Sequence, residues 1–133
     1  EIQASILRIK LKYLDESNRR RRQISECYRK NICNRDIVLP AVDDIDAHVW
    51  HLFVVRSAHR DSLKEYLREQ GIDTAIHYPI PPHKQKGYPQ WRQLSLPITE
   101  KIHREVLSLP IYPTLREKEV LYIANRINQW DGK

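Results

Sequence analysis

Apolar residues recur at helical spacing through the first quarter of the chain, interrupted once by a polar stretch at 15–23. Because no Pro or Gly precedes Pro40, the simplest interpretation is one helix from about Glu1 to Ile32. Such a helix would be roughly 48 Å long, whereas a globule of this chain length has a radius of gyration of about 14 Å. Its N-terminal half should therefore extend beyond its own domain. The apolar positions are Ile2, Ile6, Ile9, Tyr13, Ile24, Cys27, Tyr28 and Ile32.

The chain also begins inside this apolar pattern, with neither a methionine nor a helix-capping residue at its start. That start is typical of a segment whose first helix packs on a part of the protein outside the sequence. We expect residues 1–32 to form a long interdomain helix. Residues 33–133 should form one small α/β domain, so that the sequence is a piece of a larger protein.

A strand, a helix and a returning strand follow in the middle of the chain. The β-branched and aromatic run 48–56 predicts the strongest strand, with Trp50 and Phe53 on opposite faces. Residues 60–70 predict an amphipathic helix, and residues 73–78 predict the next strand. This order is typical of a split α/β unit with helices on one face of a small sheet.

The rest of the chain adds shorter elements and completes the fold prediction. We expect an α+β fold, a two-layer α/β sandwich with a small antiparallel or mixed sheet, helices on one face and a long N-terminal helix. The further predicted elements are a strand at 37–39, a loop at 84–96, a helix at 100–107 capped by Thr99, an edge strand at 109–112 confined by its prolines, and a helix from Leu115 to Gln129 after a capping box at 114–117.

The net charge of +6 is concentrated at the start of the chain. Residues 1–35 hold ten Lys or Arg against four Asp or Glu, with a centre at the run Arg19–Arg22. Such a run is typical either of a phosphate-binding patch or of the solvated face of a helix. Because no aromatic residues interleave with it and no nucleic-acid-binding motif accompanies it, the sequence favours the solvated face.

The composition further narrows the class of protein. No segment approaches the roughly 18 apolar residues of a membrane span, and the first residues do not form a signal peptide. Cys27 and Cys33 fit neither a CxxC pair nor zinc-ligand spacing, so we expect reduced thiols in a cytoplasmic protein. The histidines are scattered. We therefore expect no metal site, and no membrane or nucleic-acid partner.

The candidate functional segment is His77–His83, with the sequence HYPIPPH. Proline fixes φ at about −65° and biases the residue before it toward extended backbone, so this segment should be extended and rigid. Imidazole and phenol groups on a rigid, non-helical segment suit a binding site, because their ordering cost is met during folding. A structural turn with half-exposed histidines is the alternative. His51, in the predicted strand, is a weaker candidate.

Four segments recur in the same order in one family: Glu1–Ala4, His48–Phe53, His77–His83 and Leu107–Pro113. Through them the whole chain resembles the C-terminal part of the pyridoxal-phosphate-dependent nucleotide-sugar aminotransferases, the DegT/DnrJ/StrS family. The resemblance implies the small domain of a larger enzyme that is a homodimer when complete. That enzyme would transfer an amino group, usually from glutamate, to a keto-sugar linked to a nucleotide.

The resemblance also implies which active-site residues of the complete enzyme belong to this chain and which lie upstream of it. In the family, the lysine that binds pyridoxal phosphate and the other cofactor-binding residues lie upstream, so we expect no catalytic or cofactor-binding residue here and no activity of this chain alone. His77 and Tyr78 would face the nucleotide-sugar, and His83 is a weaker candidate for the same role. The alternative is a free-standing basic α+β module that binds nucleic acid through the arginine-rich helix.

Overall fold

The computed structural model describes residues 1–44 and 47–132, so residues 45, 46 and 133 of the predicted small domain lie outside the described residues. Within the described ranges the architecture is α+β, as predicted. Its elements are α1 (Ile2–Leu11), α2 (Leu14–Asn31), β1 (Phe53–Arg56), α3 (Arg60–Glu69), α4 (Pro97–Glu105), β2 (Val106–Leu109) and α5 (Glu117–Gln129), with 3-10 turns at Pro82–Lys84 and Pro89–Trp91.

The predicted first helix is divided into α1 and α2. The backbone N–H groups of Lys12 and Tyr13 donate to carbonyl oxygens three residues back, so the helix tightens to 3-10 spacing for one turn. No residue of α1 is buried, whereas α2 buries Ile24 and Tyr28 against the rest of the domain. The helical run therefore has one half inside the domain and one half outside it.

The strongest predicted strand is shorter than its pattern indicated. Its regular part covers only Phe53–Arg56, because Trp50 has a φ of 53°, a left-handed conformation that interrupts the alternation of faces. Trp50 is consequently buried on the same side as Phe53, with their ring centroids 5.5 Å apart. The prediction that these two side chains occupy opposite faces is wrong.

β2 includes residues of two predicted elements, the helix at 100–107 and the strand at 109–112. Val106 and Leu107 were predicted as the end of a helix, but both residues belong to this strand, which ends at Leu109 before Pro110. α4 starts at Pro97 and Thr99 does not cap it. Apolar residues of this kind fit a helix or a strand, and the antiparallel pairing with β1 decides between them.

β2 is central rather than an edge strand. It pairs with β1 on one side and meets the segment that follows α3 on the other, and all four of its residues are buried. The predicted strands at 37–39 and 73–78 are reduced to one isolated bridge each. The contacts are Phe53 opposite Leu109, Arg56 opposite Val106, and the bridges Val38 to Arg56 and Ala75 to Ser108.

The core lies between one face of the sheet and the helices α2, α3 and α5. Because side chains alternate along a strand, Leu107 and Leu109 point into this core, and Ser108 points to the opposite face. The predicted helices α3 and α5 end where expected, and α5 is capped at Arg116 rather than at Thr114. No helix in the described ranges combines the length and apolarity of a membrane span.

Candidate functional site

The proline-rich segment His77–His83 begins on the face of the sheet opposite the main core, where His77 contacts Ser108. It follows the bridge at Ala75, and β2 and α4 hold it at three points. The peptide bond between His77 and Tyr78 is cis. The three anchors are His77 Nδ1 to Ser108 Oγ at 2.9 Å, His103 Nδ1 to the Tyr78 carbonyl oxygen at 2.6 Å, and His83 Nε2 to Glu100 Oε1 at 3.0 Å.

His77 and Tyr78 lie side by side, and both are accessible. His77 is half-buried, whereas the Tyr78 side chain is 66% exposed, and the two rings meet edge to face with centroids 5.4 Å apart. His77 lines a cavity of about 240 Å³ with Thr74 and Ser108. The two predicted residues therefore present an imidazole and a phenol at one open surface.

A second, larger cavity adjoins the one at His77. It has a volume of about 500 Å³, and the two cavities share Asp73 and Pro110 in their walls. Tyr112 and Tyr122 line the larger cavity, and each is somewhat less than half exposed. The larger cavity thus shares two wall residues with the cavity at His77 and adds two phenol rings.

His83 occupies a different environment, because it is only 4% exposed. A carboxylate only accepts hydrogen bonds, so His83 Nε2 carries the proton that is donated to Glu100. The same carboxyl oxygen accepts the backbone N–H of Leu96 at 3.1 Å. The hydrogen bond from His83, followed by that from Leu96, lowers the pKa of Glu100. In this arrangement His83 ties the proline segment to the start of α4, and its contact with a substrate stays a prediction.

His51 does not belong to the same site. Its side chain is exposed and lines a separate cavity of about 450 Å³ with Tyr13, Asn18 and Arg21. That cavity shares no lining residue with the cavity at His77. His51 therefore lies at the junction of α1 and α2, away from the proline segment.

The arginine run is not a solvated face throughout. Arg21 Nη1 donates to the carbonyl oxygens of Trp50 at 3.1 Å, His51 at 3.1 Å and Ile111 at 2.9 Å. Arg20 Nη2 donates to a fourth carbonyl, that of Leu115, at 2.7 Å. For these two arginines the predicted role was wrong, since their guanidinium groups hold the turn at Trp50 and the exit from β2.

Sequence reasoning missed the residues that anchor the candidate segment: Ser108, His103 and Glu100. Ser108 left one usable signal, a hydroxyl in the apolar run VLSL, where a buried polar side chain requires a partner. His103 and Glu100 left none, because a histidine and a glutamate on an amphipathic helix are ordinary surface residues.

The candidate segment does not fit an anchor for pyridoxal phosphate, whose attachment requires a free lysine amine. Lys84 is the lysine next to this segment, and its Nζ donates to the carbonyl oxygens of Arg92 at 3.0 Å and Leu94 at 2.8 Å. Its ammonium group is thus committed to fixing the loop after the proline segment.

The chain is an α+β domain that carries an anchored imidazole and an exposed phenol beside a cavity. Residues 1–128 match the model of the DegT/DnrJ/EryC1/StrS aminotransferase family. This chain belongs to that family. The match covers almost the whole sequence, including both helices of the divided first segment.

Individual relatives support this family assignment. The chain is 55% identical over 130 residues to the dTDP-3-amino-3,6-dideoxy-alpha-D-galactopyranose transaminase of Aneurinibacillus thermoaerophilus, covering 98% of this chain and 36% of the relative. The structure of S. venezuelae DesV in complex with a ketimine intermediate superposes with a TM-score of 0.90 at 39% identity, covering 96% of this chain and 35% of DesV. That of ntda from Bacillus subtilis with bound cofactor PMP gives 0.75 at 33% identity, covering 90% and 30%. The chain thus spans about a third of the length of its relatives.

Proposed function

We propose that this chain is the C-terminal small domain of a longer aminotransferase that transfers an amino group from glutamate to a keto-sugar linked to a nucleotide. The family match over residues 1–128 is the observation that carries the proposal. The relative that is 55% identical is named for a dTDP-linked hexose with an amino group on carbon 3. We therefore assign the same class of substrate, a dTDP-linked deoxyhexose aminated at carbon 3, to the complete protein.

In this proposal the chain contributes one wall of the substrate cleft. The His77 imidazole and the Tyr78 phenol are held on a stiff segment at an open surface, and both can hydrogen-bond sugar hydroxyls or diphosphate oxygens. The Tyr78 ring can also stack on a planar group. The larger cavity, which shares two wall residues with the cavity at His77, is lined by Tyr112 and Tyr122 and would extend the same wall.

Pyridoxal phosphate would be held by the rest of the longer protein, where it would act as the electron sink of amino transfer. Lys84, the lysine beside the candidate segment, is committed to two carbonyl oxygens, in keeping with this division. The chain by itself should therefore bind no cofactor covalently and should catalyse no transamination. The complete enzyme would be a homodimer, as the family resemblance implies, and cytoplasmic, as the spacing of the two cysteines suggests.

The exposed half of the first segment supports the proposed division into an interdomain helix and a small domain. The apolar side chains of α1 are between about half and four-fifths exposed, so this helix buries nothing within the described residues. An isolated ten-residue helix is marginal in water, and tertiary packing normally stabilises it. We propose that the remainder of the longer protein covers Ile2, Ile6, Leu7, Ile9 and Leu11.

The test is an amino-transfer assay on the longer protein. It should convert a dTDP-3-amino-3,6-dideoxyhexose and 2-oxoglutarate into the 3-keto-sugar and glutamate. The variant His77→Asn should raise KM for the amino-sugar while leaving the far-UV circular dichroism and the cofactor absorbance unchanged. Wild-type KM in that variant would remove His77 from the substrate contacts. Failure to use any nucleotide-linked amino-sugar would overturn the proposed function.

A further inference from the structure

We propose that Ser108 is a positioning residue that sets the tautomer of His77, so that the imidazole offers its Nε2–H as a donor to an oxygen of the ligand. The orientation and tautomer of the ring are properties of this chain alone. Only the identity of the accepting oxygen, a sugar hydroxyl or a phosphate oxygen, rests on the proposed function.

The hydroxyl of Ser108 has a fixed position. Ser108 lies in the middle of β2. Its backbone N–H donates to the Ala75 carbonyl oxygen at 2.7 Å, and its carbonyl oxygen accepts from the Ala75 N–H at 3.2 Å. Ser108 is 4% exposed, between two leucines that point to the opposite face of the sheet. Since Ala75 is only two residues from His77, the strand that carries the serine also fixes the start of the segment that carries the imidazole.

The direction of the hydrogen bond follows from the needs of the buried hydroxyl. Ser108 Oγ lies 2.9 Å from His77 Nδ1, its one recorded side-chain partner among the described residues. If Nδ1–H were the donor, the hydroxyl hydrogen would have no protein acceptor among the described residues and would have to point into the small cavity that Ser108 also lines. Ser108 therefore donates, Nδ1 accepts, and the neutral imidazole carries its proton on Nε2.

The two ring nitrogens point in different directions, so a ring whose Nδ1 faces the sheet turns Nε2 away from it. An Nε2–H group can pair only with an acceptor. The ligand atom that meets His77 is thus an oxygen with a free lone pair, and not the protonated amino group of the product. His77 would orient the substrate, and Ser108 would act through His77 without touching the substrate.

His103 provides a contrast within the same site. Its Nδ1 lies 2.6 Å from the carbonyl oxygen of Tyr78, and a carbonyl has no hydrogen to donate. His103 Nδ1 must therefore carry a proton. At a pH where both rings are neutral, the structure assigns opposite tautomers to two histidines that hold adjacent residues of one segment.

The first test is nitrogen NMR of the longer protein with ¹⁵N-labelled histidine, in the absence of substrate and at a pH about two units above the ordinary histidine pKa. Two-bond correlations should show His77 protonated at Nε2 and unprotonated at Nδ1, and His103 with the reverse pattern. The variants His77→Asn and His103→Ala assign the two sets of signals. A protonated Nδ1 in His77 would overturn the inference, whatever the enzyme's substrate.

The second test compares variants of two buried serines by steady-state kinetics with the dTDP-3-amino-sugar. Ser25 is fully buried in α2 and donates to the Arg22 carbonyl at 2.8 Å, so Ser25→Ala is the matched control for loss of a buried hydroxyl. Ser108→Ala should raise KM for the amino-sugar about five- to tenfold, with kcat changed less, since one positioned hydrogen bond is weakened. Ser108→Thr, which keeps the hydroxyl, should restore much of the lost affinity.

The outcomes separate the inference from the proposed function. Wild-type KM in Ser108→Ala, with KM raised in His77→Asn, would overturn the positioning role and leave the substrate contact standing. Wild-type KM in both variants would remove His77 from the substrate site, while the NMR result still decides the tautomer. If Ser108→Ala fails to fold, the tautomer of His77 in the unaltered protein remains decisive.

Discussion

His103 Nδ1, on α4, lies 2.6 Å from the carbonyl oxygen of Tyr78, the most exposed residue of the predicted substrate pair. The same helix supplies Glu100, which pairs with His83 at the other end of the proline segment. α4 thus holds this segment at two points, Tyr78 and His83. Neither α4 residue was singled out by the sequence pattern.

The first prediction concerns the contact between His103 and Tyr78. His103→Ala should lower the free energy of unfolding by about 0.5–1 kcal/mol, since one solvent-exposed hydrogen bond is lost. It should also speed amide hydrogen exchange in residues 77–84, and α3 should keep its protection. His59→Ala, at an exposed histidine, is the control and should change neither. Equal exchange in both variants would contradict a holding role for His103.

The second prediction concerns Arg21, whose Nη1 atom serves three carbonyl oxygens. Arg21→Met keeps much of the side-chain volume but removes all three hydrogen bonds, and should cost about 2–4 kcal/mol in urea unfolding. Arg19→Met, at the exposed end of the run, should stay within about 0.5 kcal/mol of the unaltered protein. Similar urea midpoints for the two variants would show that the guanidinium of Arg21 stabilises the fold no more than that of Arg19.

The third prediction is a pH dependence at the start of α5. Hydrogen bonds from the Arg116 guanidinium at 2.6 Å and the Arg116 backbone N–H at 2.8 Å lower the pKa of Glu119 from 4.5 to about 2. Since the folded-state pKa is below the unfolded value, Glu119 stabilises the fold above pH 4.5. That contribution is lost as the pH falls from 4.5 toward about 2.

The measurement is urea unfolding of Glu119→Gln against the unaltered protein over this pH range. Glu119→Gln should be less stable at neutral pH, and the difference should shrink as the pH falls below 4.5. Glu117→Gln, in the same helical turn, is the control, because its side chain makes no recorded hydrogen bond within the described ranges. A difference that stays constant from neutral to acid pH would contradict the role of the ionised carboxylate.

The fourth prediction concerns the exposed helix α1. In the 133-residue chain, Ile6→Ser and Ile9→Ser should change the free energy of unfolding by less than about 0.5 kcal/mol, because neither side chain is buried. Leu63→Ala, in the core, should cost about 2–5 kcal/mol and serves as the reference. In the longer protein the same two serine variants should become strongly destabilising. If they stay neutral there, nothing covers this face of α1.

Two parts of the chain show what the local sequence pattern can and cannot predict. Helices α3 and α5 follow from their apolar spacing, and their C-terminal ends lie within one residue of the expected positions. The run 48–56 has an equally strong strand pattern, yet only its last four residues pair, since Trp50 takes a left-handed turn to reach the core. The local pattern cannot predict this turn, because it is held by the Arg21 guanidinium, which lies 29 residues away in the chain and donates to the Trp50 carbonyl oxygen.

The amino-acid sequence alone determined the α+β class, the amphipathic helices and the proline-rich HYPIPPH segment, because each depends on residues near one another in the chain. It also determined the family resemblance, which rests on four short segments in a fixed order. Tertiary structure decided which strand is central and which arginines are structural. It also decided how His77, Tyr78 and His83 are used, since their partners Ser108, His103 and Glu100 lie 31, 25 and 17 residues away. A hydrogen bond across that separation depends on how the sheet and α4 pack, and no local spacing encodes it.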